Sequence, residues 1–209
     1  MIETIVMIET IIVALITAVI GPIVVNWVKL KMEKKDDKTP VREALETSNL
    51  IEDQLDAIME ELNCDRIWLA QFHNGGHFYP TGKSIQKFSF FHEKTAPNIP
   101  NIQHTFQNIP VSLFPRVLAK IYKDTELAID DVSKTEDTYG LEHLTLQFGT
   151  KSICMLGLYS LDDHLIGVLG ISFKEPHHLV RDEWSFIRQK TGVIGTLLSE
   201  YLYTNNKKK

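Results

Sequence analysis

Residues 149–173 read GTKSICMLGLYSLDDHLIGVLGISF, and this run decides the fold. Two stretches rich in branched and aromatic side chains, 152–159 and 165–173, flank Leu161-Asp162-Asp163-His164, whose polar centre suits a hairpin turn. Strands joined so tightly pair antiparallel. Upstream, further β-rich runs lie at 66–72, 85–92 and 126–129. Apolar residues at helical spacing mark 113–123 and 138–148, the second stopped by Gly149. Downstream, a closing helix over 181–203 carries Trp184, Ile187, Thr191, Ile194, Leu198 and Tyr201 along one face.

A first helix opens with Thr39 as N-cap, Pro40 at the first helical position and Glu43 in the first turn, and runs to about Asn63. Along it Val41, Ala44, Ser48, Ile51, Leu55, Ile58 and Leu62 fall at alternating steps of three and four. That spacing serves either a helix packed on its own domain or the seam of a parallel homodimer. The order of elements predicts an α+β domain, one antiparallel sheet with flanking helices, the first and last bundled on one face.

Residues 10–28, TIIVALITAVIGPIVVNWV, carry no charge and are long enough to cross ~30 Å of hydrocarbon at ~1.5 Å per residue. Gly21-Pro22 loosens the middle of this helix, and Trp27 stands where an interfacial aromatic belongs. Glu3 and Glu9 precede the run, and Lys29, Lys31, Lys34 and Lys35 follow it, the reverse of a cleaved signal peptide. The lysines belong on the cytoplasmic side. The expected layout is therefore a single-pass inner-membrane anchor over 1–28 with the bilayer as its partner, a charged linker over 29–38, a cytoplasmic domain over 39–205 and a basic tail over 206–209.

With 209 residues and 44% apolar content, the chain has material for one core beside that anchor. A net charge of −5 with scattered lysines and arginines offers no stripe for a phosphate backbone, which excludes nucleic acid as a partner. Cys64 and Cys154 match neither a disulfide framework nor a zinc site and read as buried thiols.

The most unusual stretch is Phe72-His73-Asn74-Gly75-Gly76-His77-Phe78-Tyr79-Pro80-Thr81-Gly82-Lys83-Ser84. Its Gly-Lys-Ser end lacks the earlier glycine and following helix of a phosphate loop. His73 and His77 lack the helix that would make their spacing metal-binding, so no metal is expected. The stretch reads as a glycine-rich connection whose His73, Asn74, Tyr79 and Lys83 present donors at the rim of a ligand pocket. Residues 96–110, APNIPNIQHTFQNIP, read as a long ordered loop or lid over that pocket, or as a partner epitope. No nucleophile, base and orienting group can be paired, so no catalysis is expected.

Three motifs carry a family resemblance. Thr125-Glu126-Leu127-Ala128-Ile129-Asp130-Asp131-Val132 resembles the strand of GAF domains that ends in an acidic pair. Gly149-Thr150-Lys151-Ser152-Ile153-Cys154-Met155 resembles their entry into the penultimate strand. Leu165-Ile166-Gly167-Val168-Leu169-Gly170-Ile171, with Asp182-Glu183 opening the closing helix, resembles their last strand and helix. The resemblance covers about residues 45–203. It implies a cup-shaped pocket for a cyclic nucleotide, a tetrapyrrole or another small ligand, and adds Asp130 and Asp131 to the candidate ligand-binding residues.

The cofactor stays unassigned, because neither a chromophore cysteine nor a cyclic-nucleotide signature is legible. In layout the chain is also similar to the holins of T-even bacteriophages, which place their soluble domain on the other side of the membrane. Three readings follow: a tethered sensor signalling through helix packing in a dimer, a holin-like membrane protein, and a GAF-shaped scaffold without a ligand. No output domain is legible, so a sensor would pass its signal to another chain.

Overall fold

A computed structural model describes residues 39–206. The expected anchor at 10–28, the linker at 29–38 and the terminal lysines 207–209 lie outside the described residues. Among the described residues no helix is long and apolar enough to cross a membrane. The chain divides into two units, Met1–Ala44 and Leu45–Lys209. Of the first, the described part is the opening of a helix, where the Arg42 N–H donates to Thr39 Oγ1 at 3.3 Å and the Glu43 N–H to the Thr39 carbonyl at 3.0 Å. Thr39 thus caps the helix with side chain and backbone alike.

In chain order the elements are α1 (Pro40–Leu62), β1 (Arg66–His77), β2 (Ser84–Thr95), β3 (Ile109–Pro110), a 3-10 turn (Val111–Leu113), α2 (Pro115–Asp124), β4 (Glu126–Ile129), α3 (Glu142–Gln147), β5 (Ser152–Tyr159), β6 (Leu165–Phe173) and α4 (Arg181–Asn206). The strands form one six-stranded sheet in the order β3-β2-β1-β6-β5-β4, antiparallel at every pairing. β1 and β6 are central and apolar on both faces, as strands covered on both sides must be.

Side chains alternate between two cores. Ile67 and Leu69, Cys154, Leu156 and Leu158, and Leu169 and Ile171 face Ile51, Leu55 and Ile58 of α1 and Ile187, Ile194 and Leu198 of α4. Trp68 and Ala70, Phe88 and Phe90, Ile153 and Met155, and Val168 face the opposite way, toward α2 and the loops. α1 and α4 meet side by side on the first face, where Lys190 Nζ donates to Gln54 Oε1 at 3.1 Å. Gly195 lets α4 lie close against the end of β5, since a Cβ there would lie 2.7 Å from the Tyr159 carbonyl oxygen.

Four boundaries differ from the sequence reading. β1 continues through Gly75-Gly76 to His77, so the expected connection shrinks to residues 78–83; Asn74 and His77 pair with Gln86 and Ser84 of β2, and the two glycines sit in the register irregularity between them. Residues 96–110 end in a two-residue strand at the sheet edge, the position that tolerates Pro110. The helix expected from 113 begins at Pro115, a favoured first position. The helix expected from 138 begins at Glu142, because Tyr139 and Gly140 take positive φ values of 54° and 83°.

β2 carries one irregularity with consequences for the site. Leu69 pairs with His92 but Ala70 with Phe90, so Phe91 is an extra residue and stands half exposed. Such a bulge resets the alternation. His92 is thereby turned toward α1, 3.6 Å from Glu52 Oε1, with Lys94 alongside. Burial pulls the His92 imidazole below its ordinary value, against the opposing pull of Glu52.

A group held neutral in the fold and freer to protonate when unfolded contributes stability that is complete above about pH 6.5 and falls away below it, toward the depressed folded value. Urea unfolding between pH 8 and 5 is therefore expected to show a midpoint that declines below about pH 6.5, and His92→Gln should flatten part of that decline. An identical pH profile for the variant would exclude His92 as a source.

Candidate functional site

The second core is incompletely filled. Between the sheet and α2, α3 and residues 102–106 lies a partly open cavity of about 90 Å3. Its floor is Trp68, Ala70, Phe72, Phe88, Phe90 and Val168; Val117, Leu118 and Ile121 of α2 and Leu144 and Phe148 form walls, and Ile102 and Phe106 close over it. Of residues 96–110, Ile102 and Phe106 line this apolar cavity.

Aromatic stacking organises the floor. Trp68 lies on Phe90 at 4.4 Å between centroids, and Phe90 on Phe106 at 4.6 Å, both nearly parallel. Phe106 meets Phe148 at 5.9 Å and Phe88 meets Phe114 at 5.6 Å, both at steep angles. Offset stacks and edge contacts of this kind add about 0.5–1.5 kcal/mol per pair beyond area burial. The column can lie flat because Gly170, directly across from Trp68, has no side chain; a Cβ there would stand 2.0 Å from the indole ring.

One charged pair sits at the cavity's end. Arg66, which lines the cavity, lies 3.1 Å from Glu93 through Nε, and the two side chains are 3% and 0% exposed. This Nε makes no hydrogen bond, whereas Nη2 donates to the Pro100 carbonyl at 2.9 Å. The Glu93 carboxylate accepts the backbone N–H groups of Ile102 at 2.9 Å and Gln103 at 2.6 Å. Burial lowers the guanidinium from its ordinary value while Glu93 raises it, and an arginine stays charged throughout. The pair nails the cavity's cover to the sheet.

The six residues singled out from sequence lie elsewhere; none lines the cavity. His73 is half buried on β1, and its Nε2 is 2.9 Å from Ser89 Oγ. Asn74 braces the hairpin, its Oδ1 accepting from Ser84 Oγ at 3.2 Å and Gln86 Nε2 at 3.1 Å. Tyr79 and Lys83 are exposed in the β1–β2 turn. Asp130 and Asp131 follow β4, at the far edge of the sheet order from β1 and β2.

Asp130 Oδ2 is 2.7 Å from His178 Nδ1. Asp131 accepts the Ser133 hydroxyl at 2.6 Å and backbone N–H at 3.0 Å and meets Lys134, contacts that hold its carboxyl below the ordinary range. Both acids organise a turn, and the structure brings the six together at no single point.

Neither cysteine lines the cavity. Cys64 and Cys154 belong to the opposite core; burial pushes the Cys64 thiol up to about 12 and raises Cys154 as well, so neither supplies a thiolate. Among the described residues no cluster of three metal-ligating side chains occurs. The cavity's own residues carry no sequence signal beyond the strand runs and the helical spacing over 113–123 and 138–148, and Phe106 carries none at all.

No family model matches the sequence, and no curated protein matches it. Solved structures do. The PixJ GAF domain of Thermosynechococcus elongatus, in its blue-light-absorbing form, aligns over 79% of this chain and 92% of its own, at 17% identity and a TM-score of 0.63. A Synechocystis GAF domain in its photoproduct state aligns over 78% and 99%, at 18% identity and a TM-score of 0.60. A phycoerythrobilin-bound GAF domain from a cyanobacterial phytochrome aligns over 81% and 99%, at 17% identity and a TM-score of 0.57. With the antiparallel sheet, its order and its two helical layers already in place, these likenesses identify the architecture of this chain as that of a GAF domain.

Proposed function

We propose that this chain is a membrane-tethered sensor domain whose cavity takes a small apolar ligand and whose bound state passes through α1 and α4 to a second copy. The carrying observation is the aromatic-lined void beneath Ile102 and Phe106. Empty apolar space inside a packed domain forfeits dispersion contacts, and a ligand restores them. At about 90 Å3 it is of the order of the roughly 150 Å3 that holds one benzene ring, and far below the ~300–1,000 Å3 of drug-sized sites. A tetrapyrrole of the kind bound by the phytochrome neighbour therefore does not suit it.

Polar groups at the wall are few, and Arg66 is engaged with Glu93 and Pro100. The ligand is then recognised by shape more than by hydrogen bonds. Transmission through helices is supported by exposed Leu45 and Leu50 on α1 and Val193 and Leu202 on α4, apolar positions on the first and last helices of the domain.

The test is thermal denaturation of the full chain in nanodiscs against small aromatic and short-chain aliphatic compounds. A true ligand at a hundred times its dissociation constant is expected to stabilise the domain by about 2.7 kcal/mol. Ala70→Leu, which fills the cavity floor, should remove that gain while leaving the unliganded melting temperature near its original value. A compound set that stabilises neither form sinks the sensor reading in favour of a scaffold.

A further inference from the structure

The β1–β2 hairpin extends beyond the rest of the sheet. β1 pairs with β6 only as far as Gln71, and β3 touches β2 only at Lys87 and Phe88, so from Asn74 outward the arm is two-stranded. At ~3.3 Å per residue it projects by roughly 15 Å. Its end is a closed turn, with the Phe78 N–H donating to the Lys83 carbonyl and the Gly82 N–H to the Phe78 carbonyl, both at 2.8 Å. On that turn Tyr79 is 98% and Phe78 54% exposed.

Apolar aromatic surface held out on a projecting arm costs hydration free energy that the fold does not recover. The charge pattern is equally one-sided: no Asp or Glu occurs between Asp65 and Glu93, although the whole chain is acidic at −5. Lys83 sits in the turn, and Lys87 lays its stem across Gly75 on the arm. Aromatic rings in front of lysines, without carboxylates, match a surface that is apolar beneath and anionic on top.

Direction points to the same partner. Asp56 of α1 pairs with Lys94 of β2, and Glu52, one turn nearer the start of α1, approaches His92. Toward its Leu45 end, α1 therefore runs the way β2 runs back to the tip. α4 ends on the β5–β6 turn, with the Leu161 N–H donating to Ser199 Oγ and Tyr203 Oη to Asp162 Oδ2. By register that turn lies at the end of the sheet from which the arm projects. The sequence beyond α4 is Lys207-Lys208-Lys209, and that before α1 holds Lys29, Lys31, Lys34 and Lys35 next to the apolar run at 10–28. The arm thus projects from the end of the sheet at which α1 begins near Leu45 and α4 ends.

We propose that the β1–β2 tip, Phe78-Tyr79-Pro80 backed by Lys83 and Lys87, docks on an anionic lipid surface and fixes the domain's orientation to the membrane. This rests on the tethered reading above, and the experiment separates the two. The full chain carrying Thr81→Cys is labelled with an environment-sensitive fluorophore at the introduced thiol, Cys64 and Cys154 being buried. It is reconstituted in phosphatidylcholine vesicles with and without phosphatidylglycerol.

Docking is expected to give blue-shifted emission and quenching by lipid-borne quenchers in the anionic vesicles, weakened by salt. Lys83→Glu with Lys87→Glu should lower the docked-to-free ratio by at least roughly thirtyfold, and Phe78→Ser with Tyr79→Ser should abolish the shift. Flotation with the pure phosphatidylcholine vesicles reports the tether on its own. A chain that floats while its probe stays water-exposed in anionic vesicles overturns docking alone. A chain that fails to float overturns the tether, and the emission in the presence of anionic vesicles then still decides docking either way. A probe that instead becomes buried in detergent as protein concentration rises marks a chain-to-chain contact and overturns the lipid assignment.

Discussion

Replacing Glu93 by alanine is expected to destabilise the domain by about 3–5 kcal/mol, the usual cost of stripping one partner from a buried ion pair. Arg66 would keep its charge at 3% exposure with the Pro100 carbonyl as its remaining partner. The Ile102 and Gln103 N–H groups would lose their acceptor at the same moment. For a domain of this size the melting temperature should fall by roughly 10 °C or more.

Glu93→Gln keeps an acceptor for the two N–H groups but leaves the guanidinium uncompensated, so it should fall between wild type and alanine. Arg66→Leu combined with Glu93→Gln should recover part of the loss, because an apolar replacement removes the unpaired charge. Because the pair holds the cover of the cavity, ligand stabilisation should disappear in Glu93→Ala even at temperatures where the domain remains folded. A melting temperature within about 2 °C of wild type would show that the pair is not buried as described.

Gly170→Ala is expected to cost about 3 kcal/mol, the upper range for overpacking by one methyl group. Its Cβ would lie 2.0 Å from Cζ2 of Trp68, and the indole has nowhere to slide because Phe90 is stacked 4.4 Å behind it with Phe106 beyond. The ring must rotate or the strands must part, and either disturbs the cavity floor. Near-ultraviolet circular dichroism should register the loss of the stack. Trp68→Leu in the same chain should restore much of the stability, since the clash is with the ring and not with backbone. An alanine variant that melts with wild type and keeps its aromatic signal would mean that Trp68 is not wedged over this glycine.

Strands β4, β5 and β6 are legible in the sequence from end to end, because each is a short run of branched residues bounded by polar or turn-forming neighbours such as Asp130-Asp131 and Leu161-Asp162-Asp163-His164. The helix faces are legible for the same local reason: Ile51, Leu55, Ile58 and Leu62 recur at the helical period, and so do Ile187, Thr191, Ile194 and Leu198. From these the α+β class and the bundling of the first and last helices follow.

The site is another matter. Gly75-Gly76 reads locally as a break, and β1 resumes beyond it because Asn74 and His77 on either side both pair with β2. Glu93 and His92 exchange faces because of one extra residue at Phe91, a bulge that no local pattern announces. A strict alternation from Phe88 and Phe90 would send Glu93 toward α1 and away from Arg66. The cavity is assembled from strands, helices and a loop far apart in the chain, so its existence depends on packing across Trp68, Phe106 and Phe148. Periodicity is a local property and marks elements; a void and a buried ion pair are made by long-range contacts, and these the tertiary structure alone decided.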